Sequence, residues 1–194
     1  NVVLEDPELT AKARSLVYNS QSQIIQMHAG DSGLVNIETR RAGRAPAQFT
    51  GQSGRIERHL LTALQSLTME GQAQFESEQG KVAAQKITVS EVKEGGSLVI
   101  ADGGVKGSMK ETQFFAEHSQ WQQLKSLLEL EGQARLIDRR GLELIGKVHY
   151  AMGNQSSDSD RLVAYSQPRA SGAARNIFIL QKIFLTGNAR LSQP

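Results

Sequence analysis

The chain has no cysteine among its 194 residues. Disulfides and thiolate metal centres are therefore excluded. That absence fits the cytoplasm, and equally an exported protein that avoids stray oxidation. No charge of one sign dominates, because the formal net charge is only +2. A nucleic-acid binder working by phosphate neutralisation needs far more. Arg40, Arg41 and Arg44 come nearest to a basic run, and they read as a solvated loop. Nothing approaches the ~18 consecutive apolar residues of a membrane-spanning helix. No signal peptide is recognisable. The opening Asn1-Val2-Val3-Leu4 already resembles a strand. The expectation is a mature or trimmed chain with its export signal or anchor removed.

Catalytic signatures are missing as well. There is no Gly-x-Ser-x-Gly elbow, no phosphate-binding glycine loop and no His-Glu-x-x-His. His28, His59, His118 and His149 share no metal-ligand spacing and read as surface histidines. Asp158 and Asp160 lie in a Ser-rich loop without the glycine-punctuated oxygen ligands of a calcium site. Asn154-Gln155-Ser156 is formally a glycosylation sequon. The expectation is a non-enzyme with no cofactor and no metal.

An internal repeat is what the chain does contain, and a repeat governs the whole fold. Three segments align without gaps. They are Leu67-Thr68-Met69-Glu70-Gly71-Gln72-Ala73-Gln74-Phe75, Leu128-Glu129-Leu130-Glu131-Gly132-Gln133-Ala134-Arg135-Leu136 and Ile183-Phe184-Leu185-Thr186-Gly187-Asn188-Ala189-Arg190-Leu191. Gly80 and Gly141 follow the first two marker glycines at one spacing. Ile87 and Val89 then match Val148 and Tyr150. A partial N-terminal copy aligns Val2 and Leu4 with Ala73 and Phe75, and Leu16 and Tyr18 with Ile87 and Val89. Phe49-Thr50-Gly51-Gln52-Ser53 is a weaker echo.

Within a copy the apolar period is two. Leu128, Leu130, Gly132, Ala134 and Leu136 share one face, and Glu129, Glu131, Gln133 and Arg135 the other. Such alternation predicts a strand with one buried and one wet face. The glycine predicts a bend, bulge or close approach, and the alanine a narrow interior. Helical spacing at Leu60, Leu61, Leu64 and Leu67, and at Trp121, Leu124, Leu127 and Leu128, is the competing pattern. Turn signals fall at Gly43 to Pro46, Glu94-Gly95-Gly96, Gly103-Gly104, Met152 to Asp160 and Pro168 to Gly172. None is long enough to be a domain linker. Many short strands with turns between them predict an all-β sandwich, roll or solenoid.

The frame Leu-x-Leu-x-Gly-(Gln/Asn)-Ala-x-Leu, then a glycine turn and a strand such as Lys86-Ile87-Thr88-Val89, resembles the organic-solvent-tolerance (OstA-like) repeat. That repeat belongs to the lipopolysaccharide transport proteins: periplasmic LptA, membrane-anchored LptC and the N-terminal domain of LptD. The likeness is greatest to LptA. Phe184 to Gln193 matches best; Gln52 to His59 and Gly95 to Gly107 follow the frame poorly.

The resemblance implies a single domain over residues 1–194, a twisted, open β-jellyroll of two antiparallel sheets. It implies a periplasmic carrier with lipid A acyl chains of lipopolysaccharide between the sheets. The lining would be Val2, Leu4, Leu16, Tyr18, Leu67, Met69, Phe75, Ile87, Val89, Leu128, Leu130, Leu136, Val148, Tyr150, Ile183, Leu185 and Leu191. Other Lpt-type jellyrolls, or further copies of this chain, would join end to end at edge strands. Those edges would be Val2, Val3 and Leu4, and Gly187, Asn188, Ala189, Arg190 and Leu191. The apolar positions equally suit the plain core of any β-sandwich. Arg135, Lys147, Lys182 and Arg190 fall on or near the opposite face and read as solvated charge.

Three alternatives stay open. One is a membrane-anchored LptC-like component, and another a structural β-assembly module without lipid. A carbohydrate-processing β-solenoid is the third. Its repeated carboxylates fail, because Thr186 stands where Glu70 and Glu131 do.

Overall fold

The computed structural model describes residues 2–31, 33–40, 46–58, 65–92, 96–109, 112–122, 127–137, 143–145, 161–168, 178–183 and 190–192. Among these residues every regular element is a strand. Seven short strands come first: β1 (Val2–Asp6), β2 (Leu9–Ala13), β3 (Ser15–Asn19), β4 (Ile24–His28), β5 (Val35–Thr39), β6 (Ala47–Gly51) and β7 (Ser53–Arg58). Four long strands follow: β8 (Gln65–Ser77), β9 (Gly80–Glu91), β10 (Ser97–Met109) and β11 (Thr112–Gln122). The rest are β12 (Leu127–Glu131), β13 (Arg135–Ile137), β14 (Glu143–Ile145), β15 (Arg161–Pro168), β16 (Phe178–Ile183) and β17 (Arg190–Ser192).

All pairings are antiparallel and form two courses. The first runs β1–β2–β5–β6–β8–β9–β10–β11–β13–β14–β17. The second runs β3–β4–β7–β8–β9–β10–β11–β12–β15–β16. Strands β8 to β11 pass through both. The all-β antiparallel architecture is therefore as expected. Its two layers are courses of one creased sheet, because the long strands cross the crease. Leu67, Trp121 and Leu128 lie in strands, not in helical turns; Leu60, Leu61, Leu64 and Leu124 lie outside the described residues.

The crease is built by the repeat's own marker. Gly71 and Gln72 have φ of 71° and 52°, and Gly132 and Gln133 have 71° and 48°. Two successive left-handed residues turn a strand sharply. The neighbour supplies fewer residues there. Glu70 faces Lys86 and Ala73 faces Ala84, so Gly71 and Gln72 oppose Gln85 alone.

Gly103 and Gly104, with φ of 81° and 64°, are a further copy of this corner inside β10. The sequence expectation of a turn between strands is corrected here. A Gly-Gly pair satisfies the left-handed corner as well as a loop, and the long Ser97–Met109 strand continues on both sides. The Gly51-Gln52 echo is corrected too: it is the facing half of a corner. The Gln52 N–H donates to the carbonyls of Glu70 and Gly71, each at 2.9 Å.

Glycine is required at the first marker position for space as well as for φ. A Cβ on Gly132 would sit 2.8 Å from Cβ of Glu117, and one on Gly71 would collide with the Gln52 side chain. A single column of exposed residues, Arg14, Gln52, Gln85 and Glu117, lies over the corner glycines Gly30, Gly71, Gly103 and Gly132 in turn.

Candidate functional site: an apolar interior between two courses

Cross-strand register sets residues in rows, which line the interior as far as Leu136. In the first course one row reads Leu4, Ala11, Ile37, Phe49, Phe75, Val82, Gly107, Phe114, Leu136, Leu144 and Leu191. The second course supplies two. One reads Leu16, Met27, Gly54, Met69, Ile87, Ala101, Ser119, Leu130 and Leu162. The other reads Tyr18, Ile25, Ile56, Leu67, Val89, Val99, Trp121, Leu128, Ala164 and Ile183.

The expected lining residues that are described, Val2 excepted, take register positions in these rows. Leu67, Met69, Phe75, Ile87, Leu128, Leu130 and Leu136 are buried in one continuous cluster, with Leu4, Leu16 and Val89 packed against it. Leu191 pairs with Leu144 and Ile183 with Ala164. Tyr18 stands in its row, and Val2 faces Ala13. Both are exposed, at 53% and 40%, and among the described residues no strand pairs beyond them. Val148, Tyr150 and Leu185 are outside the described residues, as are Gly187, Asn188 and Ala189 of the expected C-terminal edge.

Residue size varies with depth. On the first-course side of the crease the inward positions are Ala13, Val35, Gly51, Ala73, Ala84, Val105, Ala116 and Ala134, all buried. No inward side chain in that row is larger than valine. Farther from the crease stand Phe49, Phe75, Phe114 and Trp121. Phe49 and Phe75 have ring centroids 5.1 Å apart. Phe75 meets the edge of Trp121 across the interior at 6.3 Å, a favourable aromatic geometry. The interior of this state is filled: Met69, Ile87 and Leu130 are each 0% exposed.

The marker glycine itself does not share the leucine face. Gly71 and Gly132 sit half-exposed at the crease, whereas Ala73 and Ala134 are buried. Alternation therefore resumes after the corner, with the glycine turned aside.

The outer face beside the crease is polar. Across neighbouring strands it reads His28, Ser53, Glu70, Lys86, Asp102, His118 and Glu131. Lys86 Nζ lies 2.9 Å from Glu70 Oε1, and His118 Nδ1 lies 2.6 Å from Asp102 Oδ1. Gln26, His28, Arg55, Glu57, Thr68 and Glu70 border a shallow polar groove of about 380 Å³ there. Arg55 and Glu57 form an ion pair within it. Arg135, expected as solvated charge, is exposed and lies over the Phe115 ring, 5.6 Å from its centroid. His59, His149, Asp158 and Asp160 lie outside the described residues. Sequence reasoning missed Met27, Ile37, Phe114 and Trp121 as interior residues. Phe114 and Trp121 lie in a strand whose phase breaks at the crease, and Met27 and Ile37 in five-residue strands with few alternating positions.

The courses end on edges. Among the described residues β1 and β3 each pair with one neighbour at the N-terminal end. At the other end β16 and β17 each pair with one.

No protein-family model matches the chain, and no curated protein matches it. Among solved structures it is similar to LptH, the LptA homologous periplasmic component of the conserved lipopolysaccharide transport device from Pseudomonas aeruginosa. The identity is 14% and the TM-score 0.47, over 71% of this chain and 96% of that one. An identity and a score this low carry no inference about function.

Proposed function

We propose that this chain is a non-enzymatic periplasmic carrier that holds the acyl chains of lipopolysaccharide between its two courses. Like modules join it end to end through the edge strands β1 and β3, and β16 and β17. The observation that carries the proposal is the set of apolar rows running from one sheet end to the other. A track with unpaired edges at both ends suits a ligand handed along a line of modules. Each methylene taken from water contributes roughly 0.8 kcal/mol, so a few acyl chains suffice for tight binding. Unpaired edge N–H and C=O groups invite strand addition. The sequence resemblance of the Gly-(Gln/Asn)-Ala frame to the lipopolysaccharide transport repeat points the same way.

Photocrosslinking to lipopolysaccharide tests it. Leu130, fully buried, crosslinks, and its outward neighbour Glu131 does not. Equal yields from both positions sink the proposal. A membrane anchor upstream of Asn1 makes the chain an LptC-like component; a cleaved signal makes it LptA-like.

The packed interior favours one second function: a β-assembly module that polymerises through its edges and binds no lipid. Filament growth with protein concentration, together with no saturable lipopolysaccharide binding, selects that alternative.

A further inference from the structure

We propose that Met27 and Met69 form a displaceable plug in the interior, and that an acyl chain seats by moving them aside. The inference rests on the carrier function above and names where that site opens.

Gly51 and Gly54 present bare backbone to the interior at the junction of β6 and β7, and both are buried. Their neighbours fill the space that two side chains would take. A Cβ on Gly54 would lie 3.1 Å from Met69 Sδ and 3.4 Å from Met27 Cε. One on Gly51 would lie 3.3 Å from Met69 Cε. Two unbranched thioether tails thus cover a floor without side chains. Both methionines are 0% exposed.

Methionine has three side-chain torsions and a polarisable sulfur, so it repacks at little cost. The other bare inward position, Gly107, is filled differently. The Phe114 ring lies flat against it, and Phe114 sits between Gly107 and Leu136 in register. A ring with two torsions in that slot is a rigid filler. The interior therefore holds one soft plug and one hard one.

The soft plug lies near an open end. Met27 is one strand in from the β3 edge and Met69 three strands in. At about 4.8 Å per strand, Met69 is about 14 Å from that edge. Among the described residues up to Ile137, the large hydrophobics that are exposed are Val2, Val3, Val17, Tyr18 and Leu34. All belong to the first five strands or their connections. In this rim Val2 and Tyr18 stand in register with the core residues Ala13 and Ile25, while Val3 and Val17 face outward opposite Lys12 and Gln26. Exposed apolar side chains of the first kind mark a place where apolar ligands land. The path from rim to plug follows the row Leu16, Met27, Gly54, Met69.

The test uses the full chain with ¹³C-labelled methionine methyl groups, titrated with purified lipopolysaccharide. Saturating shifts of the Met27 and Met69 methyl resonances are expected, larger than that of Met109, which packs on the far side of the crease. The double variant M27L/M69L keeps the volume but removes the freely turning thioether. It is expected to bind roughly tenfold more weakly, the size of a modest strain on the bound state. Saturable binding with both resonances unmoved, or a folded double variant binding as tightly as the parent, overturns the plug and leaves the carrier function standing. No saturable binding by the parent chain overturns both. A double variant that fails to fold leaves the decision to the resonances of the parent chain.

Discussion

The strands that carry the Gly-Gln corner and the strands that face it cross the same crease by different counts. In β8 the inward residues on either side are Met69 and Ala73, four positions apart; in β9 they are Ala84 and Ile87, three apart. Strand β10 behaves like β8, with Ala101 and Val105 inward, and β11 behaves like β9, with Ala116 and Ser119. An even step preserves the alternation of faces and an odd step reverses it, because a strand's side-chain period is two. The unequal counts, four against three, are what let paired strands bury side chains on both sides of the crease.

The harshest test of that difference is a deletion. Removing Gln72 gives β8 the same three-residue step as β9 and abolishes the left-handed corner and the unequal count across the crease. The expected loss exceeds about 3 kcal/mol, as for truncating a large core side chain, and thermal unfolding should lose its cooperativity. A variant with unchanged thermal stability would show that the crease tolerates either count.

Truncating the aromatic bridge comes next. Trp121→Ala removes the ring that meets Phe75 across the two courses, and is expected to cost about 3–5 kcal/mol in denaturant unfolding. A cost near that of an exposed site would mean that the courses do not depend on each other for packing.

The two marker positions separate in a milder experiment. Gly132→Ala places a Cβ at positive φ against Glu117, and is expected to cost about 1–3 kcal/mol. Gln133→Gly relieves a non-glycine residue at φ 48°, and is expected to stay within roughly 1 kcal/mol of the parent, because lost strain offsets added chain entropy. Equal costs would erase the distinction between them.

The smallest effect belongs to the outer ladder. Lys86→Met breaks the exposed pair with Glu70. The expected change is under about 1 kcal/mol and shrinks as salt is raised. A larger loss, insensitive to salt, would make the outer face a structural support of the crease.

The same difference in counts explains what was legible. The faces of Leu67, Met69, Ala73 and Phe75, and of Leu128, Leu130, Ala134 and Leu136, could be read directly, because an even step leaves the alternation intact through the corner. The partial N-terminal copy was legible in register too. Leu16 shares its row with Ile87 and Tyr18 with Val89. Residues of the facing strands, such as Phe114 and Trp121, could not be placed on one face by a single alternating frame, since their phase reverses at Glu117. Gly103-Gly104 was misread for a related reason. A Gly-Gly pair signals a chain reversal as readily as a corner, and nothing local separates the two.

The amino-acid sequence by itself determined the strand class, the repeat, the left-handed glycine and which side chains in the marker strands are apolar. These follow from period and propensity, which are local. Tertiary structure alone decided that the courses are one creased sheet, that the corner glycines lie under Arg14, Gln52, Gln85 and Glu117, and that Met27 and Met69 close over Gly51 and Gly54. Those facts depend on which strand pairs with which and on how many residues each gives at the crease. Pairing between distant segments is set by packing and hydrogen bonding across the sheet, and no local period encodes it.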